Sequence, residues 1–203
     1  MKDKDLARFR SEVYKALSAC FCFPDQLFFR YARSALQRDL DKSLCALPYS
    51  AAIKHHYEQF IVSLAETLDG FSLEDLQIAY TGLFIYAQGA HCCFPYESMW
   101  IKGSRRLMGD STMIVKRLYR SFKLRISPQF RDLPDHISAE LEFMRFLSHS
   151  EGMFAASRNE KYRNFFIENE KGFLENHLLS WIPKFSSYLK KTRISVFSLR
   201  SVS

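Results

Sequence analysis

The sequence predicts an all-α protein, and three observations lead to that prediction. Apolar side chains recur every three to four residues along most of the chain, which is the period of an amphipathic helix. Glycine and proline are scarce, with 7 and 6 residues, so the turn punctuation of an all-β fold is missing. The 203 residues are 47% hydrophobic, which is enough to bury a sizeable core and suits one helical-bundle domain better than two.

The N-terminal half contains four predicted helices, over residues 6–20, 24–40, 53–70 and 73–87. Pro24 can open the second helix, because proline is tolerated in a first turn. The third ends at Gly70, and Ser72 followed by Asp75 resembles an N-cap with an acidic first turn for the fourth. Residues 88–98 then break the period and form a loop with large apolar side chains. Loops of this kind usually carry function or pack against a core.

The C-terminal half contains the other predicted helices, over residues 110–122, 134–149, 157–173 and 174–189. Residues 123–133 interrupt the helical pattern. Ser157 is the predicted N-cap of the helix over residues 157–173. Pro183 is expected to kink or restart the last helix. We place a single helical domain at residues 1–191 and a basic, mobile tail at residues 192–203.

The net charge of +7 and the pI of about 9.2 raise nucleic acid or an anionic surface as partners. The basic residues are scattered, however, and alternate with apolar ones as on the solvated faces of helices. No RNP-type aromatic motif or zinc finger occurs. We therefore expect no nucleic-acid partner, and a basic helical nucleic-acid binder stays a minor alternative.

The N-terminus and the cysteines indicate the cellular compartment of the protein. Residues 1–5 run directly into an amphipathic segment without the apolar region of a signal peptide, and no apolar stretch approaches the roughly 18 residues of a spanning helix. The five cysteines are odd in number and include no C-x-x-C, which argues against a disulfide framework. The expectation is a cytoplasmic protein that does not insert stably in a membrane.

Motifs of catalysis are missing from the sequence. It has no phosphate-binding loop, dinucleotide fingerprint, zincin motif or nucleophile elbow. His136 and Glu140 have the four-residue spacing of a metal-ligand pair, but spacing nominates no third ligand. We therefore expect no catalytic residue, no metal and no cofactor, while a cryptic metal-dependent or nucleotide-hydrolysing enzyme remains an alternative.

The start of the helix after Pro134 holds the most informative polar residues. At 100° per residue, His136 and Glu140 fall inside the apolar arc of this helix, and Asp135 lies at its first turn. Buried polar side chains need a reason. In one interpretation Asp135 caps the helix and His136 pairs internally with Glu140; in the other the three residues belong to a functional site.

Three segments, in order, carry a family resemblance. Residues 80–84 (YTGLF) with 94–98 (FPYES) resemble a Y-x-x-L-F motif followed by P-P-Y-E-S, and residues 134–144 (PDHISAELEFM) resemble P-D-H-x-x-x-E-L-x-F-M. Residues 177–183 (HLLSWIP) resemble H-L-x-x-W-x-P. The chain is similar in these motifs to the TorD/DmsD/NarJ family of molybdoenzyme chaperones. Phe94 stands where many relatives have proline, and Cys92-Cys93 replaces a glycine- or proline-rich stretch.

The resemblance implies a TorD-like helical bundle and a non-enzymatic cytoplasmic chaperone of anaerobic respiration. Its partner would be the apo form of a molybdopterin-dependent catalytic subunit, bound through its twin-arginine signal peptide and held back from export until the cofactor is inserted. A chaperone for a non-exported metalloenzyme is the alternative. The protein would be a monomer or a domain-swapped dimer, with residues 123–133 as the hinge.

The resemblance, together with the chemistry of a leader peptide for Trp100 and Glu140, nominates the client-binding residues. Carboxylates can accept charge-assisted hydrogen bonds from the two arginines of a leader, and aromatic side chains can cover its apolar stretch. Of the carboxylates, Glu140 is the one expected to be structural. The predicted client-binding residues are Tyr80, Leu83, Phe84, Pro95, Tyr96, Glu97, Ser98, Trp100, Asp135, His136 and Glu140.

Overall fold

A computed structural model describes residues 3–36, 38, 51–86, 92–101 and 106–198. Across these ranges the regular elements are helices, and the only β-type pairing is one isolated bridge. The all-α prediction is confirmed. The predicted second helix beyond residue 38 and most of the first half of the predicted loop at 88–98 lie outside the described residues.

The α-helices are α1 (Asp3–Cys20), α2 (Gln26–Tyr31), α3 (Ala51–Gly70), α4 (Leu73–Tyr80), α5 (Asp110–Ser121), α6 (Ile137–Ala156), α7 (Glu160–Phe173) and α8 (Leu179–Ser198). Short π-helical turns follow three of them, at Ala32–Leu36, Thr81–Ile85 and Leu174–Leu178. A 3₁₀ turn covers Glu97–Met99. None of the helices in the described part of the chain is long and apolar enough to cross a membrane.

The capping residues of the N-terminal half are partly as predicted. The hydroxyl of Ser72 accepts from the backbone N–H of Asp75 at 3.1 Å, and the Asp75 carboxylate accepts from the Ser72 N–H at 3.0 Å, a reciprocal capping box. The N-cap of α2 is Asp25, and not Pro24 as predicted, because the Asp25 carboxylate accepts from the N–H of Phe28 at 2.7 Å. Proline cannot supply that acceptor, so it precedes the cap.

The C-terminal half departs from the prediction at two turns. Ser157 donates to a carbonyl of the helix before it, and Asn159 accepts from the first turn of α7 instead. Pro183 lies inside α8 without ending it, after the π-helical turn Leu174–Leu178. The same helix runs to Ser198, so much of the segment that we predicted as a mobile tail is helical, and residues 199–203 lie outside the described residues.

The chain divides into two compact units. The first comprises Met1–Gln77 and Leu141–Lys171, and its apolar core is built from α1 to α3 and the π-helical turn after α2, with Ala16, Leu36 and Ile61 among the buried side chains. The second comprises Ile78–Glu140 and Gly172–Ser203. Its largest fully buried side chains include Trp181 and Phe185 of α8.

Candidate functional site

All predicted site residues lie in the second unit, and an isolated antiparallel bridge joins their two main segments. The backbone N–H of Glu97 donates to the carbonyl of Asp135 at 3.0 Å, and the N–H of Ile137 donates to the carbonyl of Pro95 at 2.9 Å. Tyr96 and His136 are therefore paired. The P-Y-E-S segment and the P-D-H segment form one structural feature although about 40 residues separate them in the sequence.

Asp135 is fully buried and strengthens this junction. Its Oδ2 atom accepts a hydrogen bond from the backbone N–H of Ser98 at 3.0 Å. The carboxylate therefore holds the 3₁₀ turn Glu97–Met99 against the start of α6, and it does not cap α6 as one of our two interpretations had it.

His136 is the residue that caps α6. It is 1% exposed, and its Nδ1 atom accepts from the backbone N–H of Ser138 at 3.2 Å and lies 2.7 Å from the Ser138 hydroxyl. Burial lowers the pKa of His136, while Asp132 and Asp135 act in the opposite direction. A neutral imidazole with Nδ1 as acceptor satisfies this geometry.

Glu97 and Glu140 form the centre of a buried acid cluster, with 1% and 0% of their surfaces exposed. Glu97 lies 3.0 Å from Nδ1 of His177, and Glu140 accepts from the indole N–H of Trp181 at 3.1 Å. Burial first, and then the neighbouring Glu97, raise the pKa of Glu140 well above its ordinary value, while the hydrogen bond from Trp181 acts in the opposite direction. The raised pKa favours the protonated form of Glu140.

Aromatic side chains form a second part of the site. The rings of Phe84 and Trp100 contact the buried Phe185, at centroid distances of 6.4 and 5.7 Å. Trp100 also contacts Tyr188, and its indole N–H donates to the carbonyl of Phe94 at 2.7 Å. Phe84 and Trp100 are half-buried, so this aromatic row reaches the surface of the second unit.

Tyr96 connects the two parts of the site to solvent. Its ring lies 5.1 Å from the ring of His136, and its hydroxyl donates to the exposed Asp132 at 2.6 Å. Burial and the Asp132 carboxylate raise the pKa of the Tyr96 hydroxyl above its ordinary range. The phenol therefore stays protonated and keeps donating at physiological pH.

The predicted site residues fall into two groups by exposure. The half-buried ones are Leu83, Phe84, Tyr96 and Trp100. The buried ones are Tyr80, Pro95, Glu97, Ser98, Asp135, His136 and Glu140. In this conformation, only the first group offers side-chain surface to a partner.

Several residues of the site were not among those predicted. His177 and Trp181 hold the two glutamates, and both lie in the H-L-x-x-W motif, so the motif itself was the signal that could have identified them. Ile85 and Tyr86, 57% and 70% exposed, continue the Y-x-x-L-F segment with apolar surface. Their signal was an apolar pair placed directly after the motif.

The histidines, cysteines and carboxylates of the described residues contain no group of three that could hold a metal ion. Cys20, Cys22, Cys92 and Cys93 are not in disulfide bonds. Burial raises the pKa of the Cys93 thiol to about 12, and this thiol lies 3.9 Å from the carbonyl of Phe185.

Comparison with known proteins gives several matches. The chain is 29% identical over 183 residues to the perchlorate reductase assembly chaperone protein of Dechloromonas aromatica, covering 89% of this chain and 77% of that one. It is 36% identical over 121 residues to the selenate reductase assembly chaperone protein of Thauera selenatis, and 28% identical over 123 residues to the chaperone protein TorD of a Psychrobacter species. Each of these two matches covers 59% of this chain. They span 60% of the Thauera protein and 52% of the Psychrobacter protein.

A solved structure agrees with the fold. A candidate redox enzyme maturation protein from Archaeoglobus fulgidus superposes with a TM-score of 0.51 at 24% identity, over 76% of this chain and 92% of that one. The relatives named above are chaperone proteins by name, two of them for reductase assembly, in agreement with the expectation of a non-enzymatic protein. The family model described as the nitrate reductase delta subunit matches residues 50–187, and the chain therefore belongs to this TorD-like family of reductase chaperones.

Proposed function

We propose that this protein is a cytoplasmic assembly chaperone that binds the apo form of a molybdopterin-dependent reductase through its twin-arginine leader. Membership of a family of reductase chaperones supports the chaperone role. The proposed sequence of events is that the chaperone covers the leader, delays export and releases the catalytic subunit after cofactor insertion.

The observation that carries the leader-binding proposal is the apolar surface around the Y-x-x-L-F segment. Leu83 and Phe84 are half-buried, and the two residues that follow them are largely exposed. A twin-arginine leader contains an apolar stretch after its arginines, and an apolar surface of this kind is a suitable partner for it. In the proposal Leu83, Phe84, Tyr96 and Trp100 touch the leader.

The buried residues have a different role in this proposal. Glu97, Asp135 and Glu140 are too deeply buried to reach a guanidinium group in this conformation. We assign them, with Tyr80, Pro95, Ser98 and His136, to holding the P-Y-E-S loop at the position from which Tyr96 and Trp100 face the client. The exposed carboxylate of Asp132, next to Tyr96, is the acceptor available to an arginine.

Titration calorimetry with the twin-arginine leader of a molybdoenzyme encoded next to this protein tests the proposal. Tyr96→Ala and Trp100→Ala should each weaken binding about tenfold, because each removes a large anchor of the contact. Asp135→Ala should weaken binding only together with a lower Tm, since it releases a buried N–H. Leu27→Asp, at a residue that is 75% exposed in the first unit, is the control and should leave the affinity unchanged.

Unchanged affinity in both Tyr96→Ala and Trp100→Ala would disprove the assigned surface. Equal affinity for a leader in which both arginines are replaced by glutamine would favour the alternative, a chaperone for a non-exported enzyme. The burial of the three carboxylates is the observation that favours this alternative.

A further inference from the structure

A basic groove lies beside the candidate site, in the second unit. It has a volume of about 800 Å³ and follows the end of α5 and the connection after it. Its cationic lining residues are Lys116, Arg120, Lys123 and Arg125, and all are exposed. Lys116 and Arg120 are four residues apart and share one face of α5, and Lys123 lies just after the end of this helix.

These four cations are not neutralised within the described part of the chain. The ion pairs of that part involve other basic residues, and no further interaction involves these four side chains. Four unpaired cations around one concave surface raise the local concentration of anions. The groove therefore favours a negatively charged partner.

Lys123 occupies a backbone position that favours glycine. Its φ is 58°, in the left-handed region, at the end of α5. There the N–H of Leu124 donates to the carbonyl of Tyr119 at 2.9 Å, and the N–H of Lys123 donates to that of Arg120 at 2.9 Å. This is the glycine-favouring end of a helix, so a lysine here costs stability. What the lysine adds is an ammonium group at the groove.

The rest of the lining narrows the class of anion. Leu124, Ile126 and Pro134 are half-buried apolar residues, and the Asp132 carboxylate lies among the cations. Tyr119 is 5% exposed and offers no face for base stacking, so the lining lacks the stacking platform of a single-stranded nucleic-acid site. A polypeptide with alternating acidic and apolar side chains matches both the cations and the apolar lining.

We propose that the groove lined by Lys116, Arg120, Lys123 and Arg125 binds an acidic, partly apolar segment of the client polypeptide, as a second contact of opposite charge to the leader. This inference rests on the proposed function for the identity of the client. The volume of the groove lies within the usual range of ligand pockets.

The test uses the full chain and a labelled synthetic peptide of about ten residues that alternates Glu or Asp with Leu or Val, with fluorescence anisotropy as the readout. Arg120→Gln should weaken binding about tenfold, since it removes a charge-assisted contact, and physiological salt should weaken binding of the unaltered protein. Lys123→Gly should weaken binding about threefold while raising the Tm by about 2 °C, because glycine relieves the positive φ. Weaker binding by a more stable protein cannot come from misfolding.

Arg158→Gly is the matched control. Arg158 has a φ of 57° at the end of α6 and the same type of helix end, but it does not line the groove. This variant should raise the Tm equally and leave peptide binding unchanged. The proposal is overturned by lack of binding, by unchanged affinity in Arg120→Gln and Lys123→Gly, or by tighter binding of a single-stranded oligonucleotide of equal charge. Leader binding is measured separately with another peptide, so either proposal can fail alone.

Discussion

The two compact units both bury carboxylates, and they differ in what balances them. In the first unit, the guanidinium of Arg10 binds Glu151 and also Glu170, at 2.9 Å for the latter. In the second unit, Glu97 and Glu140 lie against each other, with His177 and the indole of Trp181 as partners. No Lys or Arg of the described residues pairs with these two glutamates.

The difference shows two ways to keep carboxyl groups out of water. A cation offsets the desolvation of two carboxylates in the first unit, where burial raises the pKa of Glu151 and Arg10 acts in the opposite direction. A proton does so in the second unit, where the pKa of Glu140 is raised. The first arrangement depends on one side chain, and the second depends on pH.

The largest expected effect comes from removing the cation. Arg10→Met should lower the free energy of unfolding at pH 7 by about 3 kcal/mol, since it leaves two buried carboxylates without their partner. Urea denaturation measures this. Arg145→Met is the control, because Arg145 forms an exposed pair with Glu142 and should cost less than about 0.5 kcal/mol. Equal losses in the two variants would contradict the account of the first unit.

The fold was predictable from the sequence because helix periodicity and capping are local. The capping box at Ser72 and Asp75 and the start of α5 at Asp110 needed only neighbouring residues. The cap of α6 was not predictable in this way. Asp135 is a better N-cap by residue type than His136, but the N–H of Ser98, which is distant in the sequence, takes its carboxylate.

The candidate site was nominated only through the family resemblance, which did not supply its geometry. The helical pattern placed His136 and Glu140 on the buried face, and both are buried. It suggested that they pair with each other, whereas each binds another residue, Ser138 for the histidine and Trp181 for the glutamate. Tertiary packing decides which residues of other segments become partners. The spacing of residues along one sequence does not reveal these partners.

The next largest effect has the opposite sign. Glu140→Gln should raise the Tm at about pH 8 by at least about 2 °C, because the amide imitates the protonated acid without needing the proton. The stability that the raised pKa contributes is fully present below the ordinary value of 4.5 and is lost as pH rises toward the pKa in the folded protein. The gain of the variant should therefore grow from about pH 5 to about pH 8.

Glu170→Gln is the matched control for that substitution. Glu170 accepts two hydrogen bonds from Arg10, at 2.9 and 3.2 Å, and a neutral amide weakens them, so this variant should lower the Tm at the same pH. Thermal unfolding of both variants across the pH range makes the comparison. A lower Tm for both at pH 8 would show that Glu140 is charged in the folded protein.

The smallest expected effect is the coupling between the two glutamates of the second unit. Glu97→Gln and Glu140→Gln each remove the unfavourable electrostatic interaction through which Glu97 raises the pKa of Glu140, so the second substitution has less to relieve. The double variant should be about 1 kcal/mol less stable at pH 8 than the sum of the single variants predicts. A control cycle of Glu140→Gln with Glu142→Gln, whose side chain is exposed and bound to Arg145, should be additive within about 0.5 kcal/mol. Additivity in both cycles would mean that Glu97 does not act on Glu140, and burial alone would then account for the raised pKa of Glu140.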